Sequence, residues 1–184
     1  MNRPAQFTPP FAAPGFTAAE YLHMVATGAF GDQRVEPVEG SPVKMTPSFL
    51  AHGEATAMIA ARVYPFYEAT ARIATDLMVA VSPTTIRAAD LAVVSRTAAR
   101  DRPVDAADIL LLVEIAAFTL AEDLGAKLID YAAIGVPDYW VVDLDADVVH
   151  VMSDPREGRY ARRRIVRFGE PVTLPGTDQT IVIA

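Results

Sequence analysis

The sequence predicts an α/β fold: a central mixed β-sheet flanked by helices, with an N-terminal helix and hairpin ahead of it. Three observations predict it. Met78-Val79-Ala80-Val81, Leu91-Ala92-Val93-Val94 and Ile109-Leu110-Leu111-Leu112-Val113 are short, continuous apolar runs, the pattern of strands buried on both faces. A helical stretch from Thr119 to about Gly135 follows them. Two further strand-like runs, Tyr139 to Asp143 and Val148 to Met152, come after that helix. The order strand, strand, strand, helix, strand, strand is that of a layered α/β sandwich.

Each element has its own signal. Residues 1–15 contain several prolines and no periodicity, so an extended arm is expected. Thr17-Ala18-Ala19-Glu20 reads as a capping box opening a helix to about Gly28. Extended runs on either side of Glu39-Gly40-Ser41-Pro42 form a hairpin. Pro37 places its strand at an edge or a bulge. Ser48 is positioned to cap a second helix carrying Leu50, Ala57, Ile59, Ala60 and Val63. Pro65 ends or kinks that helix, with residues 66–73 able to continue it. Thr119-Leu120-Ala121-Glu122 reads as a second capping box. Its helix is closed by Gly135-Val136-Pro137. An Asp-Ala-Asp turn precedes Val148, and Tyr160 to Phe168 and Thr180 to Ile183 are expected as edge strands. With 184 residues, 52% of them hydrophobic, residues 16–184 suit one domain with a substantial core.

Composition excludes several kinds of chemistry. There is no cysteine, so thiolate nucleophiles, disulfides and cysteine metal sites are ruled out. No P-loop, GxGxxG motif or serine elbow is present. The apolar runs are too short to cross a membrane, and the first residues lack a signal-peptide core. A cytoplasmic protein is the expectation. The net charge of −7 argues against a general nucleic-acid binder, which usually carries a basic footprint. It does not argue against a carboxylate-rich site that takes a divalent cation. Basic residues do cluster at Arg156, Arg159, Arg162, Arg163, Arg164 and Arg167. They can supply a local phosphate-binding surface or the charged face of an edge strand.

Two acids interrupt the apolar runs, Asp90 at the start of one and Glu114 at the end of the next. Antiparallel pairing of those strands brings both carboxylates to the same end of the sheet. Hard oxygen ligands on rigid neighbouring strands suit Mg²⁺ or Mn²⁺, which can activate water and stabilise charge on a phosphodiester. Asp123, Lys127 and Tyr131 recur at i, i+4, i+8 along the next helix and share a face. The plain alternatives are solvated strand ends and a surface Asp–Lys pair.

The block from Leu111 to Ala116, then Asp123-Leu124-Gly125-Ala126-Lys127-Leu128, Tyr131-Ala132 and Gly135 to Asp143 resembles the Uma-two family within the PD-(D/E)XK nuclease superfamily. Ala89-Asp90-Leu91-Ala92-Val93-Val94 resembles its Pro-Asp strand, with Ala89 in place of the proline. Val38-Glu39-Gly40, Met45-Thr46-Pro47 and His52 resemble its N-terminal hairpin and helix, and Asp154 to Tyr160 fits its C-terminal part. The resemblance covers about residues 17–183. It implies a restriction-endonuclease-like core with Asp90, Glu114 and Lys127 as catalytic residues. Asp90, Glu114 and the Ile115 backbone carbonyl would be the metal ligands. The superfamily's usual lysine two residues after the second acid is replaced by Ala116, and Lys127 stands in for it from the helix. His52, Glu39 and Tyr131 are accessory candidates. Glu54 and the buried-strand aromatics Tyr139 and Trp140 are better read as surface and core respectively.

The implied activity is metal-assisted hydrolysis of phosphodiester bonds in DNA, without a covalent intermediate. A homodimer is expected if both strands of a duplex are cut. The alternative is a nuclease-fold protein acting as a binding or assembly module, favoured by the apolar Ala116-Ala117-Phe118 and the acidic charge. An accessory nuclease targeted by a partner protein is a third reading.

Overall fold

The computed structural model describes residues 15–45 and 49–184. The proline-rich arm, apart from Gly15, and the proposed Ser48 cap lie outside the described residues. Helix α1 (Ala18–Ala26) opens with the full capping box between Thr17 and Glu20. Strands β1 (Val35–Val38) and β2 (Ser41–Lys44) pair antiparallel around Glu39-Gly40. Both turn residues have positive φ, 50° and 77°, which makes a tight two-residue turn. The loop is therefore shorter than the four residues expected, with Ser41 and Pro42 inside β2. Gly40 also meets Gly15, whose Cα would lie 2.6 Å from any Cβ added at position 40.

Helix α2 (Leu50–Tyr67) carries Pro65 within its last turn and stops two residues later. The helical continuation through residue 73 is not found. Instead β3 (Ala71–Ser82) begins there and runs for 12 residues. After the buried Ala71 its first half mixes exposed and half-buried positions, so it lacks the apolar run that marks an inner strand. Strands β4 (Thr85–Ser95) and β5 (Ile109–Ala116), followed by β6 (Asp138–Asp143), β7 (Val148–Arg156) and β8 (Arg159–Arg167), complete a six-stranded sheet. The strand order is β3-β4-β5-β6-β7-β8. Only β5 and β6 run parallel, which makes the sheet mixed. Their crossover passes through α3 (Leu120–Asp123) and α4 (Ala126–Ala133). The final strands β9 (Pro171–Thr173) and β10 (Thr180–Val182) pair only with each other.

Two departures in the crossover bear on the site. The expected single helix is broken at Gly125, where a Cβ would meet the Ala121 carbonyl oxygen at 2.5 Å. The expected capping box at Thr119 is also absent. The Thr119 hydroxyl instead donates to Asp123 Oδ2 at 2.5 Å, and the Glu122 carboxylate is drawn to Arg87 at 3.2 Å. A guanidinium makes a stronger, charge-assisted partner than a backbone N–H.

The sheet has an apolar cluster on each face, as period-two alternation requires. Leu91, Val93, Leu111, Val113, Ile115, Trp140 and Val142 pack toward α2, β9 and β10. Ala92, Val94, Leu112, Ala116, Tyr139 and Val141 pack toward α4. Asp90 and Glu114 have the parity of the second set. Glu114 is engaged from α4, whereas Asp90 beside it is met by His52 of α2.

Asp138 begins β6 half-buried, and burial pushes its carboxyl up to about 6, with Arg162 and Arg164 opposing. Because the folded value lies above the usual 3.8, ionisation opposes folding. The penalty is absent below pH 3.8, grows toward pH 6 and is complete above it. Asp138→Asn is therefore expected to stabilise the protein at pH 7.5 by about 1 kcal/mol, screening allowed for, with little gain at pH 3.5. Urea unfolding of parent and variant at both pH values measures this, and an equal difference at the two would refute it.

Candidate active site

Asp90 lies in the middle of β4 rather than at its start. Register places Leu91 opposite Val113, so the same antiparallel pairing sets Asp90 beside Glu114. Asp90 Oδ2 accepts the Ile115 N–H at 2.7 Å and lies 3.1 Å from His52 Nε2. The first contact fixes the carboxylate against β5. The second reaches it from α2.

Glu114 is 1% exposed, and both its carboxylate oxygens are engaged from α4. Lys127 Nζ donates to Oε2 and the Tyr131 hydroxyl to Oε1, each at 2.9 Å. Lys127 Nζ also lies 3.3 Å from Asp123 Oδ1. Asp123 is as buried as Glu114, so this is no surface ion pair. The i, i+4, i+8 face survives the break at Gly125, because α3 and α4 still present Asp123, Lys127 and Tyr131 to one another.

Burial pushes the Glu114 carboxyl well up, the Lys127 ammonium opposing and the Asp90 charge reinforcing. Asp123 is raised too, burial leading and Lys127 opposing. Burial works against the Lys127 ammonium, yet Glu114 and Asp123 outweigh it and hold its proton well above the usual lysine range. The lysine stays cationic, since its ammonium faces two acids, at 2.9 and 3.3 Å. The excess of carboxylates then falls on Glu114 and Asp123. The Tyr131 hydroxyl is raised by burial and by Glu114, which keeps it a hydrogen-bond donor.

The same cleft holds residues that sequence reasoning missed. Glu36 on β1 is 7% exposed, accepts the Ala88 N–H at 2.7 Å and lies 3.6 Å from Arg87. Burial pushes its carboxyl up, with Lys127 the first opposing charge. Arg87 is buried and also meets Asp130 at 2.8 Å, so one guanidinium ties the hairpin to α3 and α4. Asp76 on β3 has positive φ and pairs with Arg34 at 2.6 Å. The only sequence sign of Glu36 is an acid inside a short strand.

Glu36 thus occupies the place expected for Glu39, which sits in the hairpin turn with its N–H donated to Thr85. His52, Asp90, Ile115 and Lys127 line one cleft of about 100 Å³, several times the space one water needs. Tyr131 lies beneath it through Glu114. The arginines of β8 stand at the sheet's far edge.

Among the described residues, no three His, Asp or Glu side chains converge as a ready metal cage. A hard cation needs fewer, since Mg²⁺ is commonly held by one or two carboxylates with water completing the shell. Both contacts of Asp90 fall on Oδ2, and the buried Asp123 Oδ1 is met by the Lys127 ammonium alone, at 3.3 Å. Oxygen donors with surplus negative charge fit such an ion. Asp90 and Glu114 are the residues that would hold it.

The model of the Uma2 family, described as "Putative restriction endonuclease", matches residues 18–183. Among solved structures, the chain is similar to a protein from Anabaena variabilis ATCC 29413 described as "a putative nuclease belonging to DUF820". The TM-score is 0.65 at 15% identity, over 91% of this chain and 95% of that one. This likeness establishes a nuclease-type fold. The type IIG restriction endonuclease BpuSI gives a TM-score of 0.42 at 11% identity, over 61% of this chain and 12% of that one, too low to argue from. No curated protein matches. No helix among the described residues is long and apolar enough to cross a membrane.

Proposed function

The chain belongs to the Uma2 family of restriction-endonuclease-like proteins, and from that premise we propose that it is a metal-dependent nuclease hydrolysing phosphodiester bonds in DNA. The observation that carries the reading is one juxtaposition. Asp90 and Glu114 sit side by side on β4 and β5, with the Lys127 ammonium 2.9 Å from Glu114. Bound there, Mg²⁺ or Mn²⁺ would polarise the phosphodiester and lower the pKa of a water. The chain's own groups do the rest. The Ile115 N–H and His52 orient Asp90, and Tyr131 locks the Glu114 carboxylate. Lys127 supplies positive charge where negative charge develops on the phosphate. Its position on α4 replaces the lysine that Ala116 lacks.

A second reading has its own support. Lys127 and Tyr131 occupy both oxygens of Glu114, and Ala116-Ala117-Phe118 offers no polar side chain to a substrate. Both favour a nuclease-fold protein that binds without cleaving.

Calorimetric titration of the protein with Mn²⁺, alongside incubation of plasmid and single-stranded DNA with Mg²⁺ or EDTA, separates the readings. Metal binding with EDTA-sensitive cleavage is expected. Metal binding without cleavage of any substrate would favour the second reading, and no metal binding would remove the first.

A further inference from the structure

Two large apolar side chains stand at the mouth of the cleft. Phe49, just before α2, is 63% exposed, and Phe118, in the β5–α3 connection, is 78% exposed. Their rings nevertheless meet edge-on, with centroids 5.7 Å apart. Both line the same cleft as Asp90 and Lys127. Exposed aromatics in contact from separate elements mark a surface built to receive something. We propose that Phe49 and Phe118 form a stacking platform for an unpaired base, and that the substrate of this cleft is a single strand or a locally unpaired one. The inference rests on the nuclease reading of the cleft.

Charge and depth choose the occupant. Of the basic groups in the cleft, Arg34 is tied to Asp76 and Lys127 to Glu114, which leaves the exposed Lys44 of β2 as the lysine open to a phosphate. The Arg-rich strand β8 is three strand spacings from β5, about 14 Å away. A duplex held chiefly by its phosphates has little to grip beside this site. Stacking on an aromatic face accepts every base and adds to the phosphate contacts of a strand whose bases are unpaired, a gain a duplex cannot make. Depth agrees: Glu114 is 1% exposed and the Lys127 side chain 12%. These groups lie below an apolar rim, which a flexible single backbone can enter and a stiff duplex is held back from. The missing polarity at Ala116-Ala117-Phe118 is then a feature of recognition. One copy suffices to cut one strand, so this reading does not require the dimer.

Equilibrium binding tests it, read by anisotropy of a short fluorescein-labelled oligothymidylate and of the same strand paired with its complement, in EDTA to prevent cleavage. The parent is expected to bind the single strand at least about tenfold more tightly. Phe118→Ala and Phe49→Ala are each expected to weaken single-strand binding about 5- to 100-fold, leaving duplex binding unchanged. Phe118→Trp should retain binding. Equal affinity for the two DNAs, or unchanged binding in both alanine variants, overturns the proposal. So does dimerisation that the alanine variants abolish, since the rim would then belong to a second copy. Cleavage of duplex DNA unaffected by either alanine variant would leave the nuclease reading standing and remove this one. Phe-dependent single-strand binding without metal binding would do the reverse.

Discussion

Lys127→Met is expected to destabilise the fold by about 3–5 kcal/mol, the cost of stripping the partner from a buried charge. The methionine fills similar space, so packing alone predicts a small loss. The large term is electrostatic. Glu114 and Asp123 are both 1% exposed, and Lys127 is the cation that faces both. Without it the two acids are free to ionise only at high cost, and they remain protonated to higher pH. Their folded values already lie above the usual carboxylate range, burial being the first cause for each. Ionisation of the pair therefore opposes folding more as pH rises, and the deficit of the variant is expected to be larger at pH 8 than at pH 5. Urea unfolding at the two pH values reads both effects. Adding Glu114→Gln to Lys127→Met is expected to recover part of the loss, because the contacting pair is coupled. A deficit below about 1 kcal/mol, the scale of an exposed pair, would mean that the ammonium is replaceable by solvent.

Asp90→Asn is expected to lower metal-dependent cleavage by at least about 10²-fold, the scale of removing one positioned electrostatic group, while the fold persists. The amide keeps an oxygen that can accept the Ile115 N–H, so the local structure around β5 survives. It loses the negative charge that would hold a cation. Thermal unfolding should differ little from the parent, and calorimetry should show weakened Mn²⁺ binding. The combination matters. Lost cleavage with a lowered unfolding temperature would make Asp90 a structural residue, and retained cleavage would exclude it as a ligand.

Much of the fold is legible in the sequence because inner strands are apolar on both faces. The runs at 91–94 and 109–113 announce β4 and β5, and the acids that flank them, Asp90 and Glu114, are the two that the β4–β5 pairing sets side by side. Edge strand β3 is harder. Its residues Thr75 and Asp76 face solvent, so only the run at 78–81 stands out, and the stretch after Pro65 looks like more helix. The break at Gly125 leaves no trace in the side-chain period, since α4 resumes with Lys127 and Tyr131 still on the face of Asp123. The Thr119 box fails for a reason no local pattern contains: Glu122 is drawn to Arg87, which is 35 residues earlier in the chain. Lys127 and His52 stand beside Glu114 and Asp90 respectively. Glu36 does not announce itself, because its burial depends on how the hairpin docks beside β4. Phe118 is plain in the sequence as an absence of polarity, and only its contact with Phe49 gives it a meaning.

The Lys127–Glu114 contact closes a span of 13 residues, whereas the Glu36–Ala88 contact that docks the hairpin spans 52. That is two doublings of loop length, roughly 1.2 kcal/mol more chain entropy lost on closure. On this count the lysine and its glutamate can meet while the hairpin is still free, and the acidic wall from β1 arrives last. Pulse-labelling hydrogen exchange during refolding would show protection in β5 and α4 ahead of β1.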